Sequence, residues 1–298
     1  MEHINKNWGI ALAFGSAICF ATSNALTGLA YRGGSDPITL MAFRFILPAL
    51  ALYLILQLRG IEVALPPKQG IVAVILGFIT AVYALALLSA FKSLPLPVAI
   101  LIFFLFPILT LFFLAVLGWE KLTPTLIGGA FVAFVGLGLV LGVEFDSLDR
   151  TGMLLAVAAA VGLAIVSTVS SRMIHGQDPR QVTLYISASA TVTMVIIINI
   201  FGAYTLPITL EGWVGFVLSN IVFAFALIGF FAAIAFIGAA KTGLLSNMEP
   251  VATVGTAFVL LDQTLSSWQL VGVVIVVSAL VFVSRSKADD RMPEHISE

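Results

Sequence analysis

Ten apolar runs, each close to the roughly 20 residues that a helix needs to cross a bilayer, take up almost the whole of this sequence. Only 10% of the 298 residues are charged, whereas a soluble domain carries roughly a quarter. Too little polar surface exists to cover a soluble globule, so we expect an all-α, multi-pass membrane protein. The first run exceeds the roughly 7–15 residues of a signal-peptide core and is interpreted as a retained helix.

The ten runs are interpreted as transmembrane spans one to ten, separated by short breaks that carry nearly all the charge. They cover Trp8–Ala30, Pro37–Leu58, Gly70–Phe91, Pro97–Gly118, Thr125–Gly142, Gly152–Met173, Val182–Phe201, Gly212–Gly238, Thr242–Leu261 and Trp268–Val283. Lysine and arginine number ten in the loops on the side of the N-terminus and three on the opposite side. Because cytoplasmic loops carry the excess of positive residues, both termini are predicted to be cytoplasmic.

An internal repeat divides the chain into two halves of five spans each. A shift of 143 positions places Pro107 on Pro250, and a shift of 142 places the turn Asp36-Pro37 on Asp178-Pro179. Because five is odd, the second half must enter the membrane upside down relative to the first. Such inverted repeats are the usual architecture of secondary transporters, whose substrate site lies between the halves near the midplane. The predicted units are 1–143 and 144–286, followed by a cytoplasmic tail, 287–298, that we expect to be disordered.

The two matched prolines lie close to the middle of spans four and nine. A proline inside a helix leaves the carbonyl one turn back without a donor and kinks the helix. Interrupted helices at matching places in two halves point to a transporter site. We therefore interpret Pro107 and Pro250 as helix breaks that act as hinges. The alternative is that they serve packing alone, as prolines in membrane helices often do.

Around these prolines the two halves differ in chemistry. Three aromatic residues of span four correspond to three polar residues of span nine: Phe103, Phe104 and Phe106 match Ser246, Asn247 and Glu249. A cavity between them would have one aromatic and one polar wall, which suits a solute with an apolar body and a polar head. The alternative is that the phenylalanines face lipid.

Glu249 and Arg44 are the acid and the base that the sequence places well inside spans, away from their ends. Charges at membrane depth are costly and usually face the bundle interior or water. Glu249 could hold a substrate amine, carry a coupling proton, or bond a neighbouring helix around the proline break. The two residues enter from opposite faces of a roughly 30 Å core, so an ion pair between them is not expected. Arg44 is expected to bond helix-end carbonyls or to reach outward.

Side chains at helical spacing mark four further spans as candidate walls of the cavity. The candidates are Asn24 and Thr27 in span one, Thr80 and Tyr83 in span three, Ser167 and Ser170 in span six, and Phe223 in span eight. The alternative for the polar ones is that they bond one helix to another. In span five, a G-x-x-x-G pattern ending at Gly142 predicts close helix packing, within the bundle or in a dimer.

The inventory of reactive residues excludes most enzyme classes. All three histidines, His3, His175 and His295, lie outside the spans, so an intramembrane serine hydrolase has no base. No acid cluster could hold a metal, and no phosphate-binding loop is present, so ATP does not drive the chain directly. The single cysteine, Cys19, excludes an intrachain disulfide, and a net charge of −1 gives no attraction to nucleic acid. We expect no enzyme activity, no cofactor and no metal.

Several motifs resemble those of the EamA-type drug/metabolite transporter superfamily. In the second half these are Asn247-Met248-Glu249-Pro250 and the stretch from Leu261 to Gly272; in the first half, the stretch from Gly118 to Pro124 and Met41-Ala42-Phe43-Arg44-Phe45. The resemblance covers nearly the whole chain as two EamA units. Two positions depart from the repeat, because Phe106 stands opposite Glu249 and Gln263 stands opposite Glu120.

The resemblance implies a ten-helix exporter in the bacterial inner membrane, with a central cavity between inverted halves. Bacterial amino-acid exporters of the YddG kind are its expected relatives. We therefore predict a monomeric secondary carrier that exports small amphiphilic metabolites, in particular aromatic or other hydrophobic amino acids, by alternating access. Its partners would be the solute, membrane lipid and, as a candidate coupling ion, the proton.

Two alternatives remain at this point. A sugar-phosphate or nucleotide-sugar carrier of the same superfamily would need central Lys or Arg residues for the phosphate, and the spans offer only Arg44. A non-transporting assembly or sensory component of the membrane is the other, and the inverted repeat argues against it.

Overall fold

The computed structural model describes residues 2–120, 122–143, 149–174, 176–202, 204–261 and 266–285, and these form helices joined by short turns. The helices are α1 (Glu2–Arg32), α2 (Pro37–Arg44), α3 (Ile46–Leu58), α4 (Pro67–Ala90), α5 (Leu96–Phe103), α6 (Phe106–Leu117), α7 (Pro124–Leu141), α8 (Arg150–Ile174), α9 (Pro179–Phe201), α10 (Leu210–Leu245), α11 (Met248–Leu261) and α12 (Ser267–Arg285). The all-α prediction is confirmed. The tail 287–298, Gln263, His175 and His295 lie outside the described residues.

Most of the helices have a proline in the first turn, and two of them also have an aspartate N-cap. Proline occupies one of the first two positions of α2, α4, α5, α6, α7 and α9, where its fixed φ suits a helix and its missing N–H is not needed. The repeat-related Asp36 and Asp178 are both N-caps: Asp36 accepts from the N–H groups of Ile38 and Thr39, and Asp178 from that of Arg180. The matched turns of the two halves therefore have the same local structure.

Spans two and four are each divided into two helices. Span two breaks at Phe45, between α2 and α3, and span four breaks at Phe104 and Leu105, between α5 and α6. By length and composition, nine stretches among the described residues could cross a membrane, and the longest, α10, has 36 residues. This helix runs from predicted span eight into predicted span nine, so the count of ten spans depends on where α10 is divided.

The division falls at Gly238, which has φ 76° and ψ 165° inside α10. The sequence predicted that span eight would end at this glycine and that span nine would begin at Thr242. The structure instead turns the chain within one residue, and the next helical segment begins at once with Ala239. We call Ala239–Leu245 the half-helix of span nine. A non-helical ψ at positive φ is available essentially only to glycine, which is why the turn can be this short.

The breaks in spans four and nine are related by the repeat. At the shift of 143 the gap between α5 and α6 overlaps the gap between α10 and α11, displaced by one residue, and Pro107 and Pro250 lie just after these gaps. The prolines are thus in the first turns of α6 and α11 and do not kink a continuous helix as predicted. Their missing N–H groups belong to the unpaired donors of a helix start, so proline is tolerated there.

The two halves pack against each other in a symmetric pattern. Helix α1 packs against α10 and α11, and its repeat mate α8 packs against α4 and against α5 and α6. Helices α7 and α12 form a separate pair with glycines at their contact: Gly136 lies against Ile275 and Val276, and Gly272 lies against the backbone of α7. The small residues of span five therefore serve packing within the bundle.

Candidate functional site

A cavity of about 170 Å³ lies between the two halves, and we call it the central cavity. It is lined by Phe20, Asn24, Met41, Arg44, Phe45, Thr80, Tyr83, Ala84, Leu87, Leu88, Phe91, Phe103, Phe106, Leu163, Val166, Phe223, Leu227, Phe230, Phe231, Ser246 and Glu249. These residues come from spans one, three and four and from their mates six, eight and nine, as the sequence predicted. Span two also contributes to the lining, which was not predicted.

One side of the central cavity is a continuous aromatic surface, which we call the aromatic wall: Tyr83, Phe103 and Phe106. The rings of Tyr83 and Phe103 are stacked with centroids 6.4 Å apart, and those of Phe103 and Phe106 are 5.8 Å apart. Phe223 faces the cavity from span eight and makes an edge contact with Phe20, at 5.5 Å. These rings offer a flat apolar surface to the body of a solute.

The polar part of the lining is a chain of three side chains, Arg44, Asn24 and Glu249, which we call the polar triad. Asn24 lies between the other two: its Oδ1 accepts from Arg44 Nη2 at 3.2 Å, and its Nδ2 donates to Glu249 Oε1 at 2.9 Å. Arg44 and Glu249 are the charged residues of the lining among the described residues. The triad joins span two of the first half to span nine of the second.

Arg44 is held by its neighbours in spans one and eight. It is the last residue of α2, where the break at Phe45 directs it inward, and only 7% of its surface is exposed. Its Nη2 also donates to the hydroxyls of Ser23, at 3.1 Å, and Thr27, at 3.4 Å. The guanidinium lies over the ring of Phe223, 4.5 Å from the centroid, which is an attractive arrangement for a cation.

The expected placement of Arg44 is therefore wrong. It neither bonds helix-end carbonyls nor reaches outward, because the hydroxyls of span one and the ring of Phe223 hold it inside the bundle. As expected, no ion pair joins it to Glu249 among the described residues. The reason is not a separation in depth, however, since both residues bond the amide of Asn24.

The structure brings together half of the predicted site residues on the cavity lining. Those that line it are Asn24, Thr80, Tyr83, Phe103, Phe223, Ser246 and Glu249. None of the three phenylalanines of span four faces lipid. Phe103 and Phe106 face the cavity, and Phe104 is buried beside them at 4% exposure. A direct part in binding remains a prediction for each lining residue.

Five predicted lining residues lie behind the lining, because helix contacts cover them. Thr27 supports Arg44, and Phe104 packs against Phe103 and Phe106. Ser167 and Ser170 are fully buried in α8, and Asn247 is buried in the break before α11, where it donates to the carbonyl of Leu244. Span six presents Leu163 and Val166 to the cavity instead. Pro107 and Pro250 also lie off the lining, next to their helix breaks.

Arg44 lines the cavity although it was not among the predicted site residues. The signal was present, because a base inside a span usually faces the bundle interior, and Arg44 lies seven positions after the start of α2. Phe20 lies one helical turn before Asn24, and its spacing placed it on the same face of span one, but it too was not included among the site residues. The inward direction of Arg44 follows the break at Phe45, and the sequence signal for that break is Pro48, which lies in the first turn of α3. Pro107 and Pro250 lie in the same way in the first turns of α6 and α11.

The half-helix of span nine is packed inside the bundle next to the central cavity. Every residue from Ala239 to Asn247 is buried, and Gly243 lies against Phe106, a residue of the lining. The carboxylate of Glu120, from the turn before α7, accepts the N–H of Ala239 at 3.3 Å, and Lys241 Nζ donates to the carbonyl of Ser284 at 2.8 Å. The half-helix is thus held by Glu120 of the first half and by Ser284 of the second. The lining itself extends along α4 to Phe91, just past the end of that helix.

Comparison with known proteins agrees with the repeat and the fold. The model of the EamA-like transporter family matches residues 7–142 and again residues 150–285. The chain belongs to the EamA-like transporter family. The two matches begin 143 residues apart, which is the shift found in the sequence. An EamA repeat thus occupies each half, and the family is one of transporters.

Solved structures support the same fold. One protein of known crystal structure has a TM-score of 0.81 to this EamA member at 22% identity, covering 93% of this chain and 98% of the other. At that identity the similarity establishes the fold alone. The comparison with curated proteins found no match.

Proposed function

We propose that this EamA protein is a secondary carrier that exports small amphiphilic metabolites, in particular amino acids with aromatic or other hydrophobic side chains. The observation that carries the proposal is the central cavity itself, because it lies between the two repeats and combines an aromatic wall with a polar triad. An apolar body suits the rings, and a polar head suits the triad. No catalytic role is proposed.

Alternating access is the proposed mechanism. Matched breaks at Phe104–Leu105 and Ser246–Asn247 divide the helices beside the cavity, and Gly238 adds a third flexible point at the start of the half-helix. Rocking one repeat against the other would open the central cavity alternately on the side of the half-helix and on the side of Phe91. Pro107 and Pro250 would act as hinges in this motion, because neither supplies an N–H to the carbonyl one turn back, at Phe103 and Ser246.

The proposed setting is the bacterial inner membrane, with the protein as a monomer and both termini in the cytoplasm. The excess of lysine and arginine in the loops on the side of the termini supports this orientation. In that orientation the half-helix lies on the cytoplasmic side of the cavity, and the end of α4 is on the outer side.

Counterflow in proteoliposomes tests the proposed function. Purified protein is reconstituted into vesicles preloaded with an unlabelled L-amino acid, and entry of the same radiolabelled amino acid is followed. We expect accumulation of label above that in empty vesicles for L-phenylalanine or L-leucine. Absence of exchange for every aromatic and aliphatic amino acid would refute the proposal. A phosphorylated sugar in the same assay tests the alternative carrier class, which a single Arg44 in the described lining does not favour.

The role of a proton gradient is tested on the same vesicles with Glu249→Gln. If Glu249 carries a coupling proton, the variant keeps exchange at equal pH but loses its response to a pH gradient. If Glu249 holds the amine of the solute, exchange itself is lost. If Glu249 only supports the helix break, the variant expresses poorly and unfolds at a lower temperature.

A further inference from the structure

Arg44 holds more hydrogen-bonding capacity than its neighbours use. All of its hydrogen bonds leave from Nη2, and Nε has no partner. The ion pair that the structure does show among its described residues joins Arg180 to Asp178, far from the cavity. A buried guanidinium without a carboxylate partner is costly, and its fork of donors matches a carboxylate in two-point contact.

Glu249 is in the complementary situation on the other side of Asn24. Its Oε1 accepts from Asn24 Nδ2, and the residue lines the central cavity at the start of α11. Asn24 keeps the two charged groups from meeting directly. A direct ion pair would neutralise both groups and remove them as binding sites, whereas the intervening amide leaves a positive and a negative group side by side on the lining.

The orientation of the Asn24 amide shows which chemistry fits between the two charges. The amide presents an acceptor to the cation and a donor to the anion. A zwitterionic α-amino acid has the same polarity at the same short separation, with a carboxylate at one end and an ammonium group at the other. It also carries charge, so each contact would be stronger than the one the amide makes.

We propose that Arg44 binds the carboxylate of a zwitterionic amino acid and Glu249 binds its ammonium group, in exchange for their bonds to Asn24. The inference rests on the proposed function and assigns the specificity of the same site. Arg44 keeps its contacts with Ser23, Thr27 and Phe223 when the solute binds. The side chain of the solute then lies against the aromatic wall.

A site of this kind should select solutes that carry both a carboxylate and an ammonium group. A solute with only a carboxylate leaves Glu249 without a cationic partner, and one with only an amine leaves Arg44 without an anionic partner. An unpaired buried charge is strongly unfavourable, so both should be rejected in favour of the zwitterion. Selectivity thus comes from the partner that a wrong solute fails to satisfy.

Competition with matched analogues tests this on the unmodified protein. Exchange of radiolabelled L-phenylalanine is measured with 3-phenylpropanoate, which lacks the ammonium group, and with phenethylamine, which lacks the carboxylate. We expect unlabelled L-phenylalanine to compete and both analogues to be weaker by about 30-fold or more, the low end for truncating one partner of a buried charge pair. Equal competition by either analogue would overturn the proposal while leaving the proposed export function intact. Absence of any exchange would contradict the export function itself.

Two variants then test the assignment of each residue. In Glu249→Gln the site keeps its cation, so L-phenylalanine exchange should fall and 3-phenylpropanoate should become a better solute than phenethylamine. In Arg44→Gln the preference should reverse. Exposed residues provide matched controls, Glu211→Gln and Arg150→Gln, which should leave the selectivity unchanged.

A reversal of preference cannot be produced by misfolding, which lowers exchange of every solute alike. Equal loss for L-phenylalanine and both analogues in either variant, in protein that remains monodisperse, would show that the residue is structural and would overturn its assignment. The competition measurement on the unmodified protein stands even if a variant fails to fold.

Discussion

At the scale of single residues, the polar triad shows how a membrane protein can keep two charges in its interior. Arg44 bonds two hydroxyls and an amide and lies over a ring, although its Nε has no partner, and Glu249 bonds the same amide. The sequence identified Glu249 and Asn24 as candidates from residue type and spacing alone. It could not show that Asn24 joins Glu249 to Arg44, because that contact depends on breaks in two helices.

Asn24→Leu tests the amide as the link of the triad. The change removes a partner from both charged groups, and leaving a buried polar group unsatisfied costs about 1–3 kcal/mol. We expect a lower unfolding temperature in detergent, measured by thermal denaturation. Asn199→Leu is the matched control, since the bonds of Asn199, to Val195 and Tyr204, are local and involve no charged group. An equal effect of both substitutions would contradict the role of Asn24.

The N-cap of α2 gives a second prediction at this scale. Burial raises the pKa of Asp36, but the hydrogen bonds from Thr39 and Ile38 outweigh it and leave the pKa below its ordinary value of 3.8. A lowered pKa means that the ionised cap stabilises the fold at pH values above about 4 and that this stabilisation is lost as pH falls through the folded-state pKa.

We therefore expect Asp36→Ala to cost about 1 kcal/mol at neutral pH, because a helix N-cap is lost. Asp36→Asn keeps an acceptor and should cost less, and its unfolding temperature should fall less than that of the unmodified protein between pH 6 and pH 3. A variant that matches the unmodified protein in its acid sensitivity would show that Asp36 does not contribute. Thermal denaturation across this pH range provides the measurement.

At the scale of elements, the spans were largely predictable and their interruptions were not. Apolar length predicted the spans, and glycine and proline predicted most helix ends. The breaks in spans two, four and nine each come just before a proline, Pro48, Pro107 or Pro250, whereas the sequence predicted kinks at Pro107 and Pro250 themselves and no break in span two. A proline fits both inside a kinked helix and in the first turn of a new one, so its position alone does not say where the helix breaks.

Gly238→Ala tests the turn into the half-helix. At φ 76° and ψ 165° a residue other than glycine is strained by about 1–3 kcal/mol, and the added Cβ would lie 2.9 Å from Glu120 Oε1. We expect a lower unfolding temperature and a loss of exchange. Gly28→Ala, in α1, is the control, because its Cβ would meet nothing within 4 Å. Unchanged stability of Gly238→Ala would contradict this geometry.

The contact between α7 and α12 gives a matched pair of glycine substitutions. A Cβ on Gly272 would lie 2.6 Å from Val140 N and 2.8 Å from Gly136 O, and backbone atoms cannot move aside easily. Gly272→Ala should therefore destabilise the protein by about 1–3 kcal/mol. Gly128→Ala, where the Cβ has open space, should be neutral or stabilising by up to about 1 kcal/mol, since alanine favours a helix. Thermal denaturation of both variants provides the measurement. A lower unfolding temperature for Gly128→Ala than for Gly272→Ala would contradict this packing.

At the scale of the whole molecule, two similar halves form a cavity with dissimilar walls. The repeat determines the symmetric packing of α1 and α8, and spacing in the sequence was enough to find it. The cavity breaks the symmetry: Phe106 faces Glu249 across the pseudo-two-fold axis, and Asn24 lies on the lining while its mate Ser167 is covered. Symmetry therefore predicted the location of the site, but it wrongly placed both members of a repeat-related pair on the lining.

The central claim is that solute passes through the central cavity, and filling that cavity tests it most directly. Leu163 lines the cavity from α8, and Leu154 of the same helix is 71% exposed on the outer surface of the bundle. Counterflow of radiolabelled L-phenylalanine is compared for Leu163→Trp and Leu154→Trp in proteoliposomes. The account predicts that Leu163→Trp abolishes exchange and that Leu154→Trp exchanges like the unmodified protein. Equal, undiminished exchange by both variants would contradict it.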